Sequence, residues 1–165
     1  MSRKAKTAFV TVGTTKFDEL VAEVTKKETL DLLQQVGYEN IIVQFGSGVI
    51  PKVRRPGLLC FDYKSDISKE MKAADLIISH GGAGSILEAV RCRNAKVIVV
   101  SNDTLLENHQ IELAKSMHDG GHLLCTNIEG LQEAITRILD EVFVPFPDQD
   151  TTKFPELLNN ILGWK

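Results

Sequence analysis

The sequence predicts an α/β domain built on a doubly wound, mainly parallel sheet. Short β-branched runs alternate with longer stretches of helical period, the pattern of strands joined by crossover helices. Several of those runs are apolar on consecutive residues, as strands covered on both faces must be. The length of 165 residues, with 43% hydrophobic and 25% charged residues, is that of one globular core and too short for two full α/β domains.

The elements follow in order. Strands are expected at 7–12, 40–45, 58–61, 76–79, 96–100 and 122–125. Between the first two, Phe17, Leu20, Val21 and Val24 recur at helical spacing, and Leu131, Ala134, Ile135 and Ile138 do the same near the end. Residues 46–57 carry the glycines, prolines and charges of a loop, a helix is expected at 106–117, and 144–150 reads as a linker to one last short helix. The division is therefore a domain over 1–150 and a terminal segment over 151–165. In that segment Phe154, Leu157, Leu158, Ile161 and Trp164 form an apolar set with two readings: packing back onto the sheet, or docking another protein.

Composition narrows the function. Nineteen Lys and Arg against 22 Asp and Glu give a net charge of −3, which argues against a nucleic-acid partner. Cys60, Cys92 and Cys125 are odd in number and lack zinc spacing, so they read as reduced core thiols of a cytosolic protein. The basic start is followed by an apolar run too short for a signal peptide, and nowhere is there an apolar stretch long enough to cross a bilayer. Direct membrane insertion is not expected, although a partner could hold the chain at a membrane.

Ligands of parallel α/β sheets bind beyond the carboxyl ends of the strands. Two turns stand out there. Gly13, Thr14 and Thr15 follow the first strand: glycine permits close approach, and the threonine amides and hydroxyls are potential anion donors. A tight turn with Thr15 capping the next helix explains them equally well. The second turn, His80-Gly81-Gly82-Ala83-Gly84-Ser85, joins an apolar strand to a helix. Its glycines let backbone approach a phosphate, and the helix amino terminus offers unpaired N–H groups with about half a positive charge. His80 and Ser85 could also donate, and Glu88, one turn further, could accept from both hydroxyls of a ribose. The alternative is again a tight strand-to-helix turn. The spacing is neither that of the dinucleotide fingerprint nor that of the P-loop.

His80-x-Gly82-x-x-Ser85-x-x-Glu88, with Asn108-His109-Gln110 further on, resembles the donor-sugar signature of GT-B glycosyltransferases that use UDP-sugars. Together with Phe9-Val-Thr-Val-Gly-Thr-Thr15 and the run from Ala74 to Ser85, these blocks are most similar to catalytic subunits of a two-subunit N-acetylglucosaminyltransferase acting on dolichol-linked sugars. The resemblance covers about residues 7–165. It implies a Rossmann-like donor-binding domain, the C-terminal half of a GT-B enzyme. It implies UDP-GlcNAc as the donor and a lipid-linked GlcNAc, GlcNAc-diphospho-dolichol, as the acceptor. By resemblance, Glu88 holds the ribose diol, the loop from His80 to Ser85 lies on the diphosphate, and Gln110 meets the sugar hydroxyls. His109 stands where wider members carry an acidic residue. Half a cleft implies a membrane-anchored, acceptor-binding partner subunit, and hence a cytoplasmic chain recruited to the cytosolic face of the endoplasmic reticulum. The catalytic base remains unassigned: His80 is better used on phosphate, and the base could belong to the partner.

No cofactor and no metal are expected to be required. Asp148-Gln149-Asp150 has the form of an Asp-x-Asp metal motif but lies in a proline-flanked linker, away from a strand end. His118 and His122 read as cap or solvent residues. Two other classes stay open. A self-contained small nucleotide-sugar enzyme would turn over a soluble substrate alone, and a non-catalytic nucleotide-sugar-binding subunit would bind UDP ligands without chemistry.

Overall fold

The computed structural model describes residues 4–102, 108–148 and 154–163, with side chains not described at 108, 109 and 154–157. The strands are β1 (Lys6–Thr11), β2 (Tyr38–Gln44), β3 (Leu58–Phe61), β4 (Leu76–His80), β5 (Lys96–Val100) and β6 (Leu124–Thr126). The helices are α1 (Asp18–Thr25), α2 (Lys27–Gln35), α3 (Ser68–Ala73), α4 (Ala83–Arg91), α5 (Asn108–Asp119), α6 (Leu131–Arg137) and α7 (Phe154–Leu162). The strands form one sheet in the order β3-β2-β1-β4-β5-β6, and every pairing is parallel. The predicted doubly wound α/β fold is thus observed. Its strand order reverses between β1 and β4, and a crevice for ligands opens there, at the carboxyl ends of those two strands.

Alternation along the central strands divides the core into two layers. Ala8, Val10, Ile41, Val43, Leu76 and Ile78 pack with Leu20, Val24, Leu33 and Ile135 under α1, α2 and α6. Phe9, Ile77, Val97 and Val99 pack with Met71, Ile86, Ala89, Leu113 and Met117 under α3, α4 and α5. Burying both faces is what the unbroken apolar runs of β1, β4 and β5 require.

Two connections depart from the regular winding. The crossover from β2 to β3 contains no helix; it is the expected loop, pinned to α2 by Arg55, which pairs with Asp31 at 2.6 Å and donates to Gln34 Oε1 at 2.6 Å. The stretch after α6 is a strap across the molecule, not a free linker. The Val144 amide donates to the Gly121 carbonyl at 2.9 Å, His122 Nδ1 lies 2.8 Å from the Val144 carbonyl, and Phe146 is buried against the second layer with its ring edge-on to His122. Lys96 Nζ donates to the carbonyls of Ile138, Leu139 and Glu141, closing the carboxyl end of α6. His118 and His122 therefore tie turns and strap.

Three sequence expectations are corrected. Thr15 does not cap the next helix: α1 begins at Asp18 after Phe17, with no side-chain cap, and Thr15 Oγ1 donates back to the Val12 carbonyl at 2.7 Å. The last strand runs Leu124–Thr126 and excludes His122, because residues 120–122 complete the turn out of α5. The cysteines are free, yet only half-buried at the margins of the two layers. The terminal helix α7 lies against α5, with Ile161 and Leu162 packed on the second layer.

Candidate functional site

The turns after β1 and β4 meet at the switch point through His80. A Cβ built on Gly13 would lie 3.0 Å from His80 Cε1 and 3.7 Å from Ser85 Oγ, while one built on Gly82 would lie 2.5 Å from His80 Nε2. Gly13 also has φ +62°, a conformation in which a side chain is strained. Two of the glycines first read as room for a phosphate are therefore room for an imidazole. Gly84 differs: among the described residues nothing lies within 4 Å of its Cβ position, so none of them accounts for a glycine in the first turn of α4.

His80 is held as a neutral ring. Burial pushes its pKa below the ordinary value, with the nearby Thr11 backbone opposing only in part. Among the described residues Nδ1 has no hydrogen-bond partner of normal geometry, although it is buried.

The donors at the two turns are not equally available. In the first, the Gly13 amide donates to Thr11 Oγ1 at 3.0 Å, and the Thr15 hydroxyl and amide both donate to the Val12 carbonyl. Only exposed Thr14 keeps its amide and hydroxyl free among the described residues. In the second, the intrahelical bonds of α4 begin with the Ile86 amide donating to the Gly82 carbonyl at 3.0 Å. The amides of Ala83, Gly84 and Ser85 stand ahead of it, and Ala83 and Gly84 are exposed. Gly81 is buried below them. This helix start is the arrangement that binds phosphate through backbone donors and dipole.

One turn along, Glu88 faces a cavity of about 470 Å³ whose walls include Met71, Lys72 and Arg91. Ser68 Oγ donates to Glu88 Oε1 at 3.4 Å, a long contact that leaves the carboxylate largely available. Gln110 sits half-buried in the first turn of α5, which starts on the same edge of the sheet. Asn108 and His109 open that helix, but their side chains lie outside the described residues. Of the apolar terminal set, Leu158 and Ile161 are half-buried; the side chains of Phe154 and Leu157, and Trp164 altogether, lie outside the described residues. Asp148 is ion-paired with Arg93, Gln149 and Asp150 lie outside, and among the described residues no group of three His, Cys, Asp or Glu side chains could hold a metal.

The family described as the glycosyltransferase family 28 C-terminal domain matches residues 7–161. The chain belongs to this family. The resemblance drawn from the motif blocks is borne out, and the turn at the start of α4 lies within the matched residues. A mouse protein named UDP-N-acetylglucosamine transferase subunit ALG13 is 46% identical over 126 residues, covering 73% of this chain and 11% of the mouse protein. The chain thus spans only about a tenth of that relative. The protein of the same name from Yarrowia lipolytica is 35% identical over 149 residues, covering 85% of this chain and 76% of its own. Among solved structures, an NMR structure of ALG13 superposes with a TM-score of 0.70 at 29% identity, covering 93% of this chain and 94% of that one. MurG of Acinetobacter baumannii shares the fold, with a TM-score of 0.63 at 17% identity, and its match covers 98% of this chain but 45% of MurG.

Sequence reasoning missed Thr11, Gln44 and Ser68. Each is a short polar residue at an element end, and the available signal for the first two was a polar residue interrupting an apolar strand near its carboxyl end.

Proposed function

We propose that this chain is the donor-binding half of an inverting N-acetylglucosaminyltransferase that takes GlcNAc from UDP-GlcNAc and passes it to GlcNAc-diphospho-dolichol. The observation that carries the reading is the row of amides at Ala83, Gly84 and Ser85 ahead of the first helical bond, with no atom of the described residues over Gly84 and a carboxylate at Glu88 one turn away. A diphosphate fits the first, a ribose diol the second, and the cavity beside Glu88 takes the nucleoside end. Gly13, Thr14 and Thr15 border the diphosphate, with Thr14 as the donor of that turn, and Asn108, His109 and Gln110 face the sugar. The names of the mouse and Yarrowia relatives support UDP-N-acetylglucosamine as the donor.

The acceptor hydroxyl attacks the anomeric carbon, the bond to the diphosphate breaks, and UDP leaves. Negative charge grows on the diphosphate as this happens, so the amides of α4 and its dipole stabilise the transition state more than the ground state. Neutral His80 donates from Nε2 to the same group. The base that takes the acceptor proton comes from the acceptor half. That half is a membrane-anchored subunit which brings this chain to the cytosolic face of the endoplasmic reticulum; the word "subunit" in the relatives' names supports a partner. The terminal segment supplies its docking contact through Phe154, Leu157, Leu158 and Trp164, while Ile161 holds the helix on this chain's own second layer.

The test is transfer of labelled GlcNAc to a lipid-diphosphate acceptor, by the purified chain with and without a membrane fraction holding the partner. Activity is expected only with the membranes, and robust transfer by the chain alone would refute the split-enzyme reading. In parallel, Glu88→Ala is expected to weaken UDP binding by about 10-fold in a folded domain, the loss of a charge-assisted bond to a diol. An unchanged affinity removes the ribose role.

A further inference from the structure

Three polar residues stand side by side across the carboxyl ends of β2, β1 and β4. Gln44 is the register partner of Thr11, and Thr11 that of Ser79, so in parallel pairing the three share one face of the sheet. All are buried, with exposures of 2%, 0% and 0%. An apolar layer tolerates such groups only when their hydrogen bonds are made, and aliphatic residues would fill the same sites without that demand. Something other than core packing accounts for the row.

Its bonds lead to the site. The Thr11 hydroxyl donates to Gln44 Oε1 at 2.5 Å, which leaves its lone pairs to accept the Gly13 amide at 3.0 Å. Ser79 Oγ donates to the His80 carbonyl at 3.0 Å. Gly13 in turn packs on the His80 ring, and the Thr11 backbone lies beside that ring. A chain of contacts therefore runs from the inside of the sheet through Gln44, Thr11 and Gly13 to His80 and Ser85, and buried Thr11 and Gln44 stand behind the residues that border the proposed donor site.

We propose that Thr11 and Gln44 are positioning residues: their buried pair fixes the left-handed conformation of Gly13, and through it the plane of the His80 ring and the gap beside Ser85. This rests on the UDP-sugar reading for its consequence in binding, though not for its consequence at His80. Without the hydroxyl the Gly13 amide loses its acceptor, the turn relaxes, and water reaches the imidazole.

The experiment uses the full chain with UDP as the probe and the variants Thr11→Val, Thr11→Ser and Gln44→Met. It reads UDP affinity by calorimetry, the His80 Cε1 proton titration by NMR, and the thermal midpoint. Thr11→Val is expected to weaken UDP binding by about 10-fold, as loss of one oriented contact would, and to raise the His80 titration midpoint toward its ordinary value. Thr11→Ser restores both, and Gln44→Met shifts both in the same direction by less. A purely structural role lowers the thermal midpoint while leaving the affinity of the folded protein and the His80 titration unchanged, and that result overturns the proposal. If Thr11→Val does not fold, Gln44→Met decides by the same readouts. Failure of the unmodified chain to bind UDP overturns the donor-site reading by itself, and the His80 titration still decides the positioning role.

Discussion

The two turns that meet at the switch point use similar residues to opposite ends. After β1, Gly13 and Thr15 turn their polar groups inward: Thr11 takes the Gly13 amide and Val12 takes the Thr15 hydroxyl, while exposed Thr14 makes no such bond among the described residues. After β4, the amides from Ala83 to Ser85 face outward ahead of the first helical bond. The first turn is a wall and the second a cradle. Satisfied donors make a rigid surface, whereas donors left over at a helix start make a binding one.

The sharpest way to break this contrast is to place a methyl group on each glycine. Gly82→Ala sets a carbon 2.5 Å from His80 Nε2 and drives the ring out of place; loss of UDP binding by more than about 10-fold is expected, as the loss of at least one oriented hydrogen bond would give. Gly84→Ala meets no atom of the described residues and sits in a helix, so it is expected to raise stability by about 0.5–1 kcal/mol. Its methyl nevertheless stands where the diphosphate would approach, and UDP affinity falls. Thermal melts and UDP titrations of the pair check both. A Gly84→Ala protein that is more stable and binds normally would leave that glycine without a ligand role.

A smaller effect concerns the ring between the turns. His80 has an ordinary value of 6.5 in the unfolded chain and a lower one when folded. Between the two the unfolded chain binds more protons, so stability rises with pH through that window. It is complete above 6.5 and lost as pH falls through the folded value. Thermal midpoints of the wild type and His80→Gln, followed from neutral pH to about pH 5, should converge as this contribution disappears. The carboxylate of Glu23 contributes in a separate, more acidic window: Lys26 beside it, with Gln132 and Thr29, holds its pKa below the ordinary carboxylate range, so its share is lost as pH falls through that depressed value.

The smallest effect separates the threonines. Thr15→Val removes a hydroxyl engaged with Val12 and is expected to cost about 1 kcal/mol of stability without changing UDP affinity. Thr14→Val removes a free one, and is expected to weaken UDP binding a few-fold at unchanged stability. Reversal of the two outcomes would show that the free and the engaged hydroxyl of this turn had been assigned the wrong way round.

Much of this was legible in the sequence because the central strands announce themselves. The runs around Phe9, Ile77 and Ile98 are apolar on successive residues, and only a sheet covered on both sides needs that. The glycine turn after β4 was legible for a similar reason, since a strand running into a helix through three glycines has few explanations. What those glycines accommodate was not, because distance in space decides it: Gly82 serves a ring two residues away, Gly13 serves the same ring from another strand, and Gly84 serves neither. Thr11 and Gln44 were hidden as well, since each alone is one polar residue in a strand and only the parallel register makes them a pair. The stretch from Val144 to Asp148 read as part of a linker over 144–150 because its anchors, Gly121, His122 and Arg93, lie on other elements.

The placement of His80 has a mechanical consequence. A flat, uncharged ring wedged between Gly13 and Gly82 works as a spacer gauge, setting the separation of two loops that belong to different strands. Neither loop can swing inward without compressing the ring, and outward movement of the first is checked by its bond to Thr11. On the proposed donor-binding reading, a nucleotide would meet a gap already cut to width, and its recognition here would be a matter of fit to a fixed aperture.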